Sequence, residues 1–151
     1  MTHPNEAYQQ WLEHPEDFKL LERIPFTQKS AQWPLPLFDP VGDEIEMVIL
    51  DTETTGLSAA DDAIIELGMV KLMYSKSLNR ITSIEDVISV YEDPQRPISE
   101  FVTRLTGITD EMVKDQHIDS AWVAEWLSNT PLIVAHNAQF DRPFFEELFQ
   151  N

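Results

Sequence analysis

Four consecutive apolar residues, Met47 to Leu50, run directly into Asp51-Thr52-Glu53-Thr54-Thr55-Gly56-Leu57. No other feature narrows the fold of this chain as far. The apolar run reads as a buried strand over residues 45–51. Strand side chains alternate between faces, so Asp51 and Glu53 share one face at its end. Paired carboxylates supply the oxygen ligands that hard divalent cations take. Gly56 permits close backbone approach, and Thr54 and Thr55 add hydroxyl donors. A loop of that composition suits a nucleotide held beside the carboxylates. A second polar cluster lies far along the chain at His136-Asn137-Ala138-Gln139-Phe140-Asp141.

Between these clusters the apolar period changes. Residues 63–74 read as a second, longer strand and residues 86–91 as a third, with the polar residues 75–85 as a long hairpin loop. From Pro97 onward the pattern turns helical. Residues 99–105 and 109–114 read as short helices with Ser99 and Thr109 as N-caps. Residues 119–128 form a clearer helix, with Trp122, Val123, Trp126 and Leu127 on one face. That face is assigned to the core rather than to base stacking. Residues 131–135 read as a short strand, and a helix starts at Pro143. Three strands, helices, a strand and a helix make a mixed α/β layer pattern.

Residues 1–42 have a different character. Short helical pieces are expected at 6–12 and 17–23. Pro34, Pro36 and Pro40 bar regular helix or central strand, so this stretch reads as an extended connector. The expected organisation is a helical, proline-rich extension over 1–42, offering a docking segment for a protein partner, and a domain over 43–151.

Composition excludes several classes. At 151 residues the chain is one domain or part of one. It has no cysteine, hence no disulfide framework, thiolate zinc site or cysteine nucleophile. That accords with a reducing, cytoplasmic setting. The polar N-terminus carries no secretory h-region, and no apolar run reaches the ~20 residues of a membrane helix. The net charge of −17 argues against extended duplex binding, and less strongly against gripping a few terminal nucleotides. Oligomeric state is not encoded in any of these features.

Within the second cluster the readings divide. Asp141, just ahead of Pro143, is a candidate N-cap, and a helix N-terminus also favours the ionised carboxylate that a metal requires. The Asn137 amide suits either backbone or substrate. His136 is equally a substrate contact or a turn residue.

Taken together, the two clusters resemble the motifs of the DEDDh exonucleases, the family of the DNA polymerase III epsilon subunit and ribonuclease T. Val48 to Leu57 is similar to that family's Asp-x-Glu-x-Thr-Gly motif, and Ala135 to Asp141 to its Asn-x-x-x-Asp motif. Ile64-Ile65-Glu66-Leu67-Gly68 and Thr106-Gly107-Ile108-Thr109 match in the same order. The resemblance implies a ribonuclease H-like mixed sheet flanked by helices, incomplete at its C-terminal end. It implies a two-metal 3′–5′ exonuclease acting on single-stranded 3′ ends of DNA or RNA with magnesium or manganese. Asp51 would bridge both ions, Glu53 would ligate the ion that activates water, and Asp141 would hold the second. Leu57 would wedge against the terminal base, and Thr54, Thr55, Gly56, His136, Asn137 and Phe140 would line the substrate, with Glu66 structural. Two departures stand out. Thr106 occupies a position that is usually histidine. The family's third motif, a histidine followed five positions later by an aspartate, is absent up to Asn151. The expectation is therefore the first part of a longer enzyme, inactive alone. The rival expectation is a non-catalytic nucleic-acid or protein binding module on the same fold.

Overall fold

A computed structural model describes residues 13–14 and 32–150. Of two compact units, 1–31 and 32–151, it is the second that carries the sheet. The expected helical pieces at 6–12 and 17–23 lie outside the described residues.

Five strands form one mixed sheet: β1 Leu35–Pro36, β2 Glu44–Thr54, β3 Ile64–Ser75, β4 Arg80–Tyr91 and β5 Ile133–Ala135, in the order β1-β4-β3-β2-β5. β2, β3 and β4 are antiparallel neighbours, while β5 runs parallel to β2. Among the described residues four helices flank the sheet: α1 Glu100–Thr106, α2 Asp110–Val113, α3 Ser120–Trp126 and α4 Ala138–Glu147. The α/β expectation is met by a ribonuclease H-like arrangement of a mixed sheet with helices.

The alternation along β2 is what positions the site. Val48, Leu50, Thr52 and Thr54 are buried, whereas Ile49 and Asp51 are exposed and Glu53 is half-buried. Val48 and Leu50 pack with Leu67, Met69, Ile118, Val123 and Phe144, joining the sheet to α3 and α4. A second cluster, Ile65 with Ile98, Val102, Ile108 and Val113, anchors α1 and α2. The register slips between Glu53 and Thr54, so Thr54 pairs with Ile64. That bulge lets the adjacent Ile64 and Ile65 enter different clusters.

Several sequence-based boundaries move. Residues 75–85 are mostly strand, not loop, and the β3–β4 connection shrinks to the turn at 76–79. Asp43 closes that turn, accepting from Ser75 Oγ and Ser77 N, both at 2.7 Å. Thr82 and Ile84 are buried there among charged neighbours, which hid the strand period. The proline connector also enters the sheet, as Leu35 and Pro36 pair with Ile84 and Ser83 at its edge. Proline is tolerated on an edge strand, where no central ladder bond is lost.

Helix ends follow local chemistry. Ser99 caps α1 by accepting from Val102 N at 3.3 Å, and Gly107 ends it in the left-handed region at φ 80°. Thr109 starts α2 without a side-chain cap bond. Asp119 caps α3 through Ala121 N and Trp122 N. On α3 only Val123 is fully buried, and Trp122 is exposed rather than core. Trp126 is half-buried, donating to Asp86 at 2.9 Å under the Lys71 ammonium. α4 begins at Ala138, five residues before Pro143, because the Asn137 carbonyl accepts from Phe140 N and Asp141 N. Asp141 is therefore a first-turn residue, and Asn137 holds the N-cap position.

Candidate active site

Asp51 and Glu53 project from one face of β2, opposite Gly68 and Glu66 of β3. Glu66 is in turn held by the Ser89 hydroxyl from β4. β5 runs parallel beside β2, so the strand-to-helix turn at 136–137 and the first turn of α4 arrive at the same end of the sheet. Asp141 is 3% exposed. Its Oδ1 accepts from Thr52 Oγ1 at 2.9 Å and from Thr52 N at 3.1 Å. A carboxylate buried this deeply needs such donors, because an unpaired buried charge is strongly disfavoured.

The three carboxylates sense one another. Burial pushes the Asp51 carboxyl above the ordinary aspartate range. The charges of Asp141 and Glu66 push it further, and nearby His136 offsets part of this. Glu53 is raised by burial first, then by Asp51, Glu66 and Asp141. Among the described residues, no ion pair involves Asp51, Glu53 or Asp141. Concentrated, uncompensated oxygen charge is the donor chemistry that magnesium or manganese takes. The residues present fit such an ion. In the arrangement seen here, though, no three His, Cys, Asp or Glu side chains among the described residues cluster closely enough to hold one.

The expected substrate residues separate into two groups. Leu57, Asn137 and Phe140 line one cleft of about 240 Å³. Phe140 also packs on Phe144, ring centroids 5.1 Å apart, so its ring partly serves the core. His136 is exposed beside Asp51. The threonine hydroxyls turn inward instead. Thr54 Oγ1 donates to the Gly56 carbonyl at 2.5 Å, and Thr55 Oγ1 is occupied by Asp62, Ala63 and Arg96. Sequence reasoning overlooked Thr52, Asp62 and Arg96. Thr52 sits between the two acids as an apparent spacer, and Asp62 and Arg96 fall in connecting segments outside both motifs.

The family model for the RNase_T exonucleases matches residues 48–149, which contain both carboxylate clusters and the cleft. The chain belongs to this exonuclease family. A PolC-type DNA polymerase III from Caldanaerobacter subterraneus is 42% identical over 105 residues, covering 68% of this chain and 7% of that protein. The PolC-type enzyme of Halalkalibacterium halodurans is 36% identical over 129 residues, covering 84% of this chain and 8% of that protein. The chain thus spans less than a tenth of these relatives (7–8%). Among solved structures, E. coli exonuclease I in complex with single-stranded DNA superimposes with a TM-score of 0.55 at 18% identity. It covers 70% of this chain and 23% of the other, a likeness of fold. No helix among the described residues is long and apolar enough to cross a membrane.

Proposed function

We propose that this exonuclease domain hydrolyses the terminal phosphodiester at single-stranded DNA 3′ ends, working from 3′ to 5′. The observation that supports the reading is that β2 and the first turn of α4 bring Asp51, Glu53 and Asp141 to the same end of the sheet, near enough for their charges to act on one another. Membership of an exonuclease family supports hydrolysis, and relatives named as DNA polymerases favour DNA over RNA. Action beside a DNA polymerase goes with a cytoplasmic setting.

Asp51, Glu53 and Asp141 would together hold magnesium or manganese. Bound there, the ions supply positive charge for the attacking and leaving oxygens of an in-line displacement. Leu57 meets the terminal base in the cleft that Asn137 and Phe140 also line. Thr52 orients the Asp141 carboxylate through its hydroxyl and its backbone N–H. Water adds to phosphorus, the bond to the 3′ oxygen breaks, and a nucleoside monophosphate leaves a strand one residue shorter. A non-catalytic binding module gains nothing from three repelling acids, which disfavours that alternative.

The test uses the protein at its full natural length, a 5′-labelled single strand and magnesium or manganese. Stepwise shortening from the 3′ end, abolished by Asp51→Asn and by chelator, is expected. Undiminished turnover in Asp51→Asn, or shortening from the 5′ end, overturns the assignment.

A further inference from the structure

Leu57 is 87% exposed, the most solvent-accessible large apolar side chain described. Its loop must therefore be held away from the core by something other than apolar burial. Asp62 is the hub of that restraint. Its Oδ2 accepts from Ser58 N at 3.1 Å, and its Oδ1 accepts from Thr55 Oγ1 and from Arg96 Nη2, both at 3.2 Å. Arg96 Nη2 also donates to Thr55 Oγ1 at 2.6 Å, and Ala63 N donates to the same oxygen at 3.1 Å. One donation and two acceptances fill the hydroxyl's capacity, so Thr55 has none left for substrate.

Gly56 belongs to the same construction. A Cβ there would stand 2.4 Å from Asp62 Oδ2. Glycine is what lets the carboxylate close over the loop. Arg96 reaches in from the connection between β4 and α1, 41 residues from Thr55 and 34 from Asp62. A lone ion pair at this exposure contributes little. Here the guanidinium and the carboxylate share a third partner, and the charge-assisted contacts fix all three relative to one another.

We propose that Arg96 and Asp62 are positioning residues for the substrate loop: their joint grip on Thr55 holds residues 55–58 with Leu57 presented to the cleft it shares with Asn137 and Phe140. The inference rests on the nuclease reading above, with a DNA 3′ end as the ligand received.

The experiment uses the 151-residue chain and two readouts. The first is amide hydrogen exchange at residues 56–58. The second is fluorescence anisotropy of a labelled single strand, with a free 3′ hydroxyl or with its ends joined in a circle, in calcium. Arg96→Ala and Asp62→Asn should each speed loop exchange and weaken 3′-end binding about tenfold, the effect of losing one charge-assisted hydrogen bond. Exchange in β2 and β3 should stay unchanged, and binding of the circle should change less. Arg96→Lys should recover part of the loss, since it keeps the charge without the fork. Unchanged loop exchange in both variants overturns the proposal. So does a loosened loop with full 3′-end affinity. Tighter binding by Asp62→Asn also overturns it, because a released guanidinium that contacts phosphate directly would act that way. If the wild-type chain shows no preference for a 3′ end, the nuclease reading fails. The exchange measurement then decides by itself whether the pair holds the loop.

Discussion

Thr52→Val should expose how Asp141 is held. Threonine and valine are close in volume, and valine is at home in a strand, so the change removes a hydroxyl and little else. Both partners are buried, at 6% and 3% exposure, so water cannot replace the lost donor. A hydrogen bond to a charged group is worth about 1.5–3 kcal/mol. The new methyl recovers part of this, since burying one such group contributes about 0.8 kcal/mol. A net loss of about 1–2 kcal/mol follows, because Thr52 N still donates to the carboxylate at 3.1 Å. For a chain of this size, that lowers Tm by about 2–8 °C. Thermal unfolding followed by circular dichroism measures it. The double-mutant cycle with Asp141→Asn isolates the pair. A neutral acceptor bonds about half as strongly. Thr52→Val should therefore cost about half as much in the Asp141→Asn background. An equal cost in both backgrounds would refute the reasoning, as would an unchanged Tm.

Three further predictions follow from the same geometry. Asp51 and Glu53 have folded-state carboxyls raised above their ordinary range, so their penalty on stability is absent in acid and grows as pH rises through the raised values. Asp51→Asn should raise Tm at neutral pH but not near pH ~2, below the ordinary carboxylate range; an equal difference at both pH values contradicts a carboxyl raised by burial and by its acidic neighbours. Leu57→Ala should leave stability within about 0.5 kcal/mol, because the side chain is 87% exposed, yet weaken capture of a DNA 3′ end in the anisotropy assay. Edge strand β5 exposes Ile133 and Val134, and Leu132 just before it is also exposed, each at about 40%. The purified chain should therefore self-associate in sedimentation velocity, and Ile133→Lys should reduce this, since charge on an edge strand opposes pairing.

The legible parts of this molecule were those whose physics is local. The apolar run ending in Asp51-Thr52-Glu53 announced both a buried strand and a one-sided pair of acids, and β2 carries them that way. The Ser99 and Asp119 caps were equally local, each satisfied within three residues. What stayed hidden was long-range or masked. Buried Thr82 and Ser75 broke the apolar signal of β3 and β4, because their hydroxyls are satisfied inside the sheet by the Met73 carbonyl and Asp43. Pro143 suggested a helix start, but the chain had already turned at Asn137, whose carbonyl the sequence pattern does not advertise. The Thr52–Asp141 bond spans 89 residues, and nothing in a threonine between two acids hints at its partner. The grip of Arg96 on Thr55 is hidden for the same reason.

In the proposed function, Asp51, Glu53 and Asp141 act together as one divalent-cation site. Paramagnetic broadening by substoichiometric manganese, read on the amides of the isotope-labelled chain, tests it most directly. Broadening should concentrate at residues 51–53, 66–68 and 136–141, be displaced by excess magnesium and be lost in Asp51→Asn. Broadening spread over the other acidic surfaces, or unchanged at these residues in Asp51→Asn, would contradict it.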